Sequence, residues 1–398
     1  MTDHFLTWFE TLIRWLHVIA GVAWIGASFY FNWLNNQVRP PLPGTADAGV
    51  KGEVWAVHGG AFYRVLKYAV APEKLPGTLH WFKWEAYFTW ITGFVLLSLV
   101  YFLGADLFLI DKSKADLSAW QATGIGIGVL VGGWIVYDLL CRSPLVRAKV
   151  LFAGIGFALL TVLAWGLCEI FSSRGAYILV GALIGTLMAA NVFFWIIPGQ
   201  REMVSAMEQG REPNPVAGQN GALRSLHNNY LTLPVLFIMV SNHYPHTYGH
   251  AWDWAILAAL SLISASVRHW FNLRGRGELN TWILPVAAMA MIGLALVTAP
   301  RTAPATTVDV GPVSFARAQA IVQTRCAVCH ADKPTFPGNE KAPKDFKLDT
   351  PERIRSAAEQ IRAQAVATQI MPLANLTNMT EQERAELGRW IADGAKAE

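Results

Sequence analysis

Up to residue 297 the chain is a succession of apolar stretches: Trp15–Trp33, Tyr87–Leu103, Gly124–Leu140, Val150–Ile170, Ala176–Ile197, Tyr230–Val240, Trp254–Val267 and Trp282–Val297. A membrane-crossing helix needs roughly 20 residues, and with their flanks these stretches predict about eight of them. The sixth has a short apolar centre, so spanning draws in His227, Asn228 and Asn229 at one end and Ser241, Asn242 and His243 at the other. Polar groups at that depth must face protein or water. Beyond Val297 the pattern changes. Pro300 to Pro312, rich in Pro, Ala and Thr, reads as a tether. Val313 to Arg325 fits a helix, and Thr380-Glu381-Gln382-Glu383 is a capping box opening a last helix with Leu387, Trp390 and Ile391 on one face. The expected architecture is all-α: a polytopic helix bundle over 1–299, a linker over 300–312 and a small soluble domain over 313–398.

Composition agrees with a bilayer. Of 398 residues, 53% are hydrophobic, 15% charged and 17 are tryptophan, proportions unusual in a soluble protein. Met1 to Phe9 has no basic n-region and no small-residue cleavage site, so no removable signal peptide is expected and the first helix directs insertion. The net charge of +4 gives no reason to expect nucleic acid; its use is topological. Alternate loops hold Arg39, Lys51, Arg64, Lys67, Lys74 and Lys83, then Arg142, Arg147 and Lys149, then Arg201, Arg211 and Arg224, then Arg274 and Arg276; the opposite set holds Lys112, Lys114 and Arg174. The rich side is cytoplasmic by the positive-inside rule, which puts both termini outside. The long inner loop from Asn35 to Trp84 mixes Trp55, Phe62, Tyr63, Tyr68, Trp81 and Phe82 with basic residues, as interfacial segments do.

Chemistry is most explicit near the C-terminus. Cys326-Ala327-Val328-Cys329-His330 has the spacing that covalent c-type haem attachment needs: Cys326 and Cys329 for the two vinyl groups, His330 as proximal iron ligand. Met371-Pro372 lies where a small class I-like cytochrome c supplies a thioether as sixth ligand, and methionine opposite histidine raises the potential. The outer side, to which loop charge assigns this domain, is the side on which c-type haem is normally attached. Cys141 and Cys168 stand alone in apolar segments and read as packing residues, and nothing suggests copper.

Two further constellations lie in the bundle. The first helix places Arg14, His17, Gly21, Trp24 and Ser28 on one stripe, with Leu16, Ile19 and Ala23 opposite. A histidine one turn from a glycine suits a b-type haem, with His243 the first candidate partner and His246 and His250 behind it; a histidine hydrogen-bonded inside the bundle explains His17 equally well. The second cluster gathers on the cytoplasmic side: Asn191, Trp195 and Gln200; His227-Asn228-Asn229-Tyr230; Arg268-His269-Trp270-Phe271-Asn272; and His80, Trp81 and Trp84. Amides, imidazoles, a guanidinium and stacking rings can line a pocket for a planar anion. Singly, each residue reads as well as an interfacial anchor. Glu85, Asp138 and Glu169 are acids at the membrane border.

The run from Arg14 to Gly26, the segment from Ser225 to Pro234, and Cys326-Ala327-Val328-Cys329-His330 with Met371-Pro372 together resemble the bacterial membrane-bound urate hydroxylases, in which a urate oxidase membrane domain is fused to a C-terminal cytochrome c. The resemblance covers essentially the whole chain. It implies oxidation of urate to 5-hydroxyisourate without hydrogen peroxide release. Electrons would pass through haem c to a respiratory acceptor such as a cytochrome c oxidase or a soluble cytochrome c, and the protein would lie in the bacterial inner membrane with the cytochrome in the periplasm. On that reading His227, Asn228, Arg268 and His269 are the candidate catalytic residues, either histidine serving as base and Arg268 holding the anion. Exposed apolar helices also allow a homodimer. A quinol-fed cytochrome reductase and a transporter with an attached electron carrier are the competing readings; a bare membrane anchor ranks last, since one helix would suffice.

Overall fold

The structure, a computed structural model, describes residues 2–44, 49–69, 71–299, 310–336 and 341–397. Most of the tether expected over 300–312 falls outside the described residues. Long helices follow the apolar stretches: α1 (Thr2–Gln37), α2 (Trp84–Phe102), α3 (Ala119–Arg142), α4 (Lys149–Ile170), α5 (Ser173–Glu208), α6 (Pro215–Ser241), α7 (Asp253–Gly275) and α8 (Ile283–Val297). Among the described residues, six are long and apolar enough to cross a membrane; α8, at 15 residues, is shorter, and α6 has the length but too much polarity to qualify by hydropathy.

α5 is the centre of the bundle. Tyr177, Leu179, Leu183, Ile184, Leu187 and Met188 are buried along it, and α3, α4 and α6 pack around it. α1 packs on α2, leaving Leu16 and Ile19 exposed on its far side, as the stripe predicts. The helix starts have local causes. Ser118 caps α3 with a capping box to Gln121, and Asn214 accepts from the Val216 amide while Pro215 takes the first helical position of α6.

That Asn-Pro start corrects two expectations. The sixth helix begins well before Tyr230, and Arg224, counted above as a loop charge, lies inside it with only 2% of its surface exposed. α5 likewise continues through a π-helical turn, Val192–Ile196, to Glu208, so Arg201 is helical as well.

The all-α expectation also needs correction between α1 and α2. Strands β1 (Val50–His58) and β2 (Ala61–Tyr68) form an antiparallel hairpin. Gly59 and Gly60 both have positive φ, 57° and 79°, as the two-residue turn that matches strand twist demands. The aromatic and basic residues of this segment conceal the alternation that leads into the turn. Buried Glu53 accepts from Arg64 Nε at 2.7 Å and from Trp55 Nε1 at 3.0 Å, locking the register.

After the described break, α9 (Phe315–Arg325), α10 (Pro351–Ser356), α11 (Ala358–Ile361) and α12 (Glu381–Ala392) enclose a second core of Ile321, Val322, Ile354, Ile361, Leu387 and Trp390. The capping box of Thr380 and Glu383 forms as expected. The two cores meet where Ile370 packs against the bundle.

Candidate functional site

The polar residues of α6 point two ways. Arg224, His227 and Asn228, spaced three and four apart, share the face toward α3 and α5. Arg224 Nη2 bonds Asp138 Oδ1 at 2.6 Å, and Asp138 also receives Arg142 at 2.7 Å and the Trp195 indole at 2.8 Å. The Arg224 guanidinium lies 4.7 Å from the Trp195 ring centroid and 5.0 Å from that of Tyr137. His227 Nδ1 is 2.8 Å from Tyr137 Oη and 3.7 Å from Cys141 Sγ, and its ring stacks on Phe152. Asn228 is satisfied at both ends, accepting from Asn191 at 2.8 Å and donating to the Met188 carbonyl at 3.0 Å. This face is closed on itself: a buried ion pair with its amide, phenol and imidazole neighbours already supplied.

The other face is not closed. Asn229 and Tyr230 turn toward α7, where Arg268 Nε donates to Asn229 Oδ1 and Asn229 Nδ2 donates to Asn272 Oδ1 at 2.8 Å. Tyr230 Oη lies 2.7 Å from His269 Nδ1, with the rings stacked. The Arg268 guanidinium is buried and sits 4.3 Å from the Phe29 ring centroid on α1. Among the described residues no carboxylate pairs with it, and the Asn272 amide nitrogen is buried without a hydrogen-bond partner. A buried cation without a counter-ion and an orphan donor are costly unless a ligand completes them.

A second unsatisfied atom lies on α2, the helix that packs on α1. His17 meets Gly93, and Gly21 faces Thr89, so the antiparallel register of α1 and α2 sets Glu85 against position 25, one turn before Phe29. Glu85 Oε2 is buried and has no partner. The four candidate catalytic residues are thus divided: His227 and Asn228 belong to the closed face, Arg268 and His269 to the open one. His80 is exposed, while Trp81 and Trp24 pack with Tyr87 and Ile196 on the core of Ala86, Val192 and Ile197. Asp138, singled out as a membrane-border acid, is the partner of Arg224; Tyr137, the partner of His227, is not apparent from helix-end composition, and the spacing of Arg224, His227 and Asn228 is the available signal.

The His17 and His243 pair is not brought together. His17 Nδ1 donates to the Thr89 carbonyl at 3.0 Å and lies 3.1 Å from Thr92 Oγ1, at the level of Gly93. His243 is exposed and follows Asn242, which accepts from Tyr101 Oη at 3.3 Å. From Gly93 to Tyr101 is about 12 Å of helix, and two axial ligands must face one iron at one depth. The residues present do not fit a haem b between them.

A family model described as urate oxidase N-terminal matches residues 3–299. The chain belongs to that family. Comparisons with curated proteins and with solved structures found no match. The urate oxidase N-terminal match takes in all the residues of both α6 faces and stops where the tether begins, so the C-terminal unit lies beyond it.

In that unit the candidate haem residues converge on one core. Cys326 and Met371 pack against it beside Phe346, whose carbonyl accepts from His330 Nδ1 at 2.8 Å. This bond fixes the imidazole and leaves Nε2 for a metal, the usual support of a ligating histidine. Burial pushes the Cys326 thiol up to about 12, with nearby Arg384 opposing. Arg384 also donates to the Met371 carbonyl at 2.7 Å, holding the thioether segment in place. The donor set, the apolar surroundings and the bond from His330 to the Phe346 carbonyl fit a covalent c-type haem.

Proposed function

We propose that the chain is a membrane-bound urate oxidoreductase whose C-terminal unit is a small cytochrome c. Urate would be oxidised to 5-hydroxyisourate, urate plus water giving product, two protons and two electrons. The observation that carries this reading is the open face of α6: Arg268 lacks a counter-ion among the described residues, beside an orphan Asn272 amide. Urate is a planar anion with alternating N–H and C=O edges. Arg268 would pair with the anion, Asn272 Nδ2 would donate to a carbonyl oxygen, and Glu85 would accept from a ring N–H. His269, next to Arg268 on α7 and hydrogen-bonded to Tyr230, would serve as the base. His227, already enclosed by Tyr137, Cys141 and Phe152, is given a structural role instead.

On this reading all eight long helices span the bacterial inner membrane, with both termini periplasmic. Cys326 and Cys329 would anchor the haem, and His330 and Met371 would hold its iron. Bound there, it would supply one-electron chemistry at a raised potential, and a respiratory acceptor, a cytochrome c oxidase or a soluble cytochrome c, would take the electrons onward. Arg268 lies about 22 Å of helix from Asp253 at the outer end of α7, so oxidation and electron release occur at different depths of the bundle.

The test is anaerobic addition of urate to the purified oxidised protein, recording the visible α-band and assaying 5-hydroxyisourate and peroxide. Reduction of haem c with product and no peroxide is expected. An unchanged spectrum with urate, together with reduction by quinol, would replace this reading with that of a quinol-fed reductase.

A further inference from the structure

The outer end of the bundle carries a surface more rigid than a loop needs to be. Tyr177 Oη donates to the carbonyls of Thr247 and Asp253, at 3.1 and 2.6 Å, and Tyr248 Oη donates to that of Asn242. Arg174 Nε donates to Asn242 Oδ1 at 3.0 Å, with its guanidinium 5.2 Å from the Phe108 ring centroid, and Ser172 ties down the Phe108 carbonyl at 2.8 Å. The turns Ala105–Phe108 and Pro245–Tyr248 are each tied in this way to the start of α5, through Ser172 and Arg174 and through Tyr177.

The segment 368–375 of the C-terminal unit rests on this surface. Ile370 packs against the bundle core, and the turn Leu373–Asn375 touches Ala105–Phe108. At Gly249 the approach is so close that a Cβ would stand 2.8 Å from Thr368 Cβ and 2.9 Å from the Thr368 carbonyl oxygen. Gly249 has an ordinary negative φ of −89°, so it is close approach, not backbone conformation, that favours glycine there. On its own side the segment is bound to the unit it belongs to, through Met371 N to the Gln364 carbonyl at 2.9 Å and Arg384 to the Met371 carbonyl.

We propose that 368–375 is a built seat: it holds the C-terminal unit on the outer end of the bundle with the Met371 edge turned inward. Electrons then arrive through that edge, and a soluble partner meets only the opposite side. The part concerning electrons rests on the cytochrome reading above; the seat itself does not. The tether joins the two units, while the seat fixes their orientation, and electron transfer inside the chain needs no search by a swinging domain.

The experiment is a disulfide lock in the full-length protein in nanodiscs. Leu107→Cys with Asn375→Cys, and separately Asp106→Cys with Leu373→Cys, on the two turns that touch, are oxidised under native conditions and scored by the loss of two alkylatable thiols. Bond formation in either pair, independent of protein concentration, is expected, because disulfides form only between positions whose Cα atoms lie within about 7 Å. Failure of both pairs in folded protein overturns the seat. In a locked variant, urate should reduce haem c at a rate within about twofold of the unlocked form; a loss of about tenfold or more would overturn the inward-facing edge. If urate leaves the haem oxidised even in the unaltered protein, the urate reading has failed and the bond alone decides the seat.

Discussion

Arg224 and Arg268 are both buried guanidiniums on neighbouring helices, and their surroundings assign them opposite roles. Arg224 has Asp138 at 2.6 Å, whereas Arg268 has an amide oxygen and an aromatic face. The charge without a partner is the one a urate anion can complete. Arg268→Gln should weaken urate binding by about 10- to 150-fold, the roughly 1.5–3 kcal/mol of a hydrogen bond to a charged group. The KM for urate-driven haem reduction would show it, with the dithionite-reduced spectrum unchanged. An unaltered KM would remove Arg268 from the site. Arg268 was legible in the sequence as part of an Arg-His-Trp cluster; that it lacked a counter-ion was not, because that depends on which carboxylates the neighbouring helices bring to the same depth.

Helices here are held together by polar pairs at particular depths as much as by apolar packing. Asp138 on α3 receives Arg142, Arg224 and Trp195, joining α3, α5 and α6 around the π-helical turn Val192–Ile196. Removing the carboxylate charge leaves Arg224 buried and uncompensated, so Asp138→Asn should destabilise the bundle by about 3–5 kcal/mol. Glu10→Gln breaks an ion pair to Arg14 that lies half in solvent, and should cost at most about 1 kcal/mol. Unfolding of both variants in detergent would give the comparison. Equal losses would show that Asp138 is not a cross-helix clasp. At this scale the apolar pattern located every long helix, but it misplaced the start of α6 and missed the hairpin. Asn214-Pro215 and Gly59-Gly60 are signals of one or two residues, which a periodicity reading passes over.

The whole molecule combines a bundle of long apolar helices, compatible with a membrane, with a unit that carries paired surface charges. In the C-terminal unit Asp332 is held below the usual carboxylate range by Lys347 and Arg353, and Asp349 by the Asp332 amide and Arg353. Carboxylates with lowered folded values stabilise the unit above their ordinary range and lose that contribution as pH falls through the folded values. Hydrogen-exchange protection around the His330 to Arg353 segment should therefore drop between about pH 5 and pH 2, and high salt should shrink the drop, since these groups are largely exposed. A flat profile across that range would mean the network is ornamental to stability.

The sequence by itself determined the succession of apolar helices, the composition of the 300–312 segment and the Cys-x-x-Cys-His spacing, because each is a local pattern along the chain. Membership of the urate oxidase N-terminal family follows from residues 3–299. Only the tertiary structure decided the rest. It divided a plausible pocket into a closed face around Arg224 and an open one around Arg268, set His17 and His243 at different levels of the bundle, and brought the segment around Met371 against the turn Ala105–Phe108. Those outcomes depend on helix register and rotation, where one residue turns a side chain through about 100°, and on partners distant in sequence.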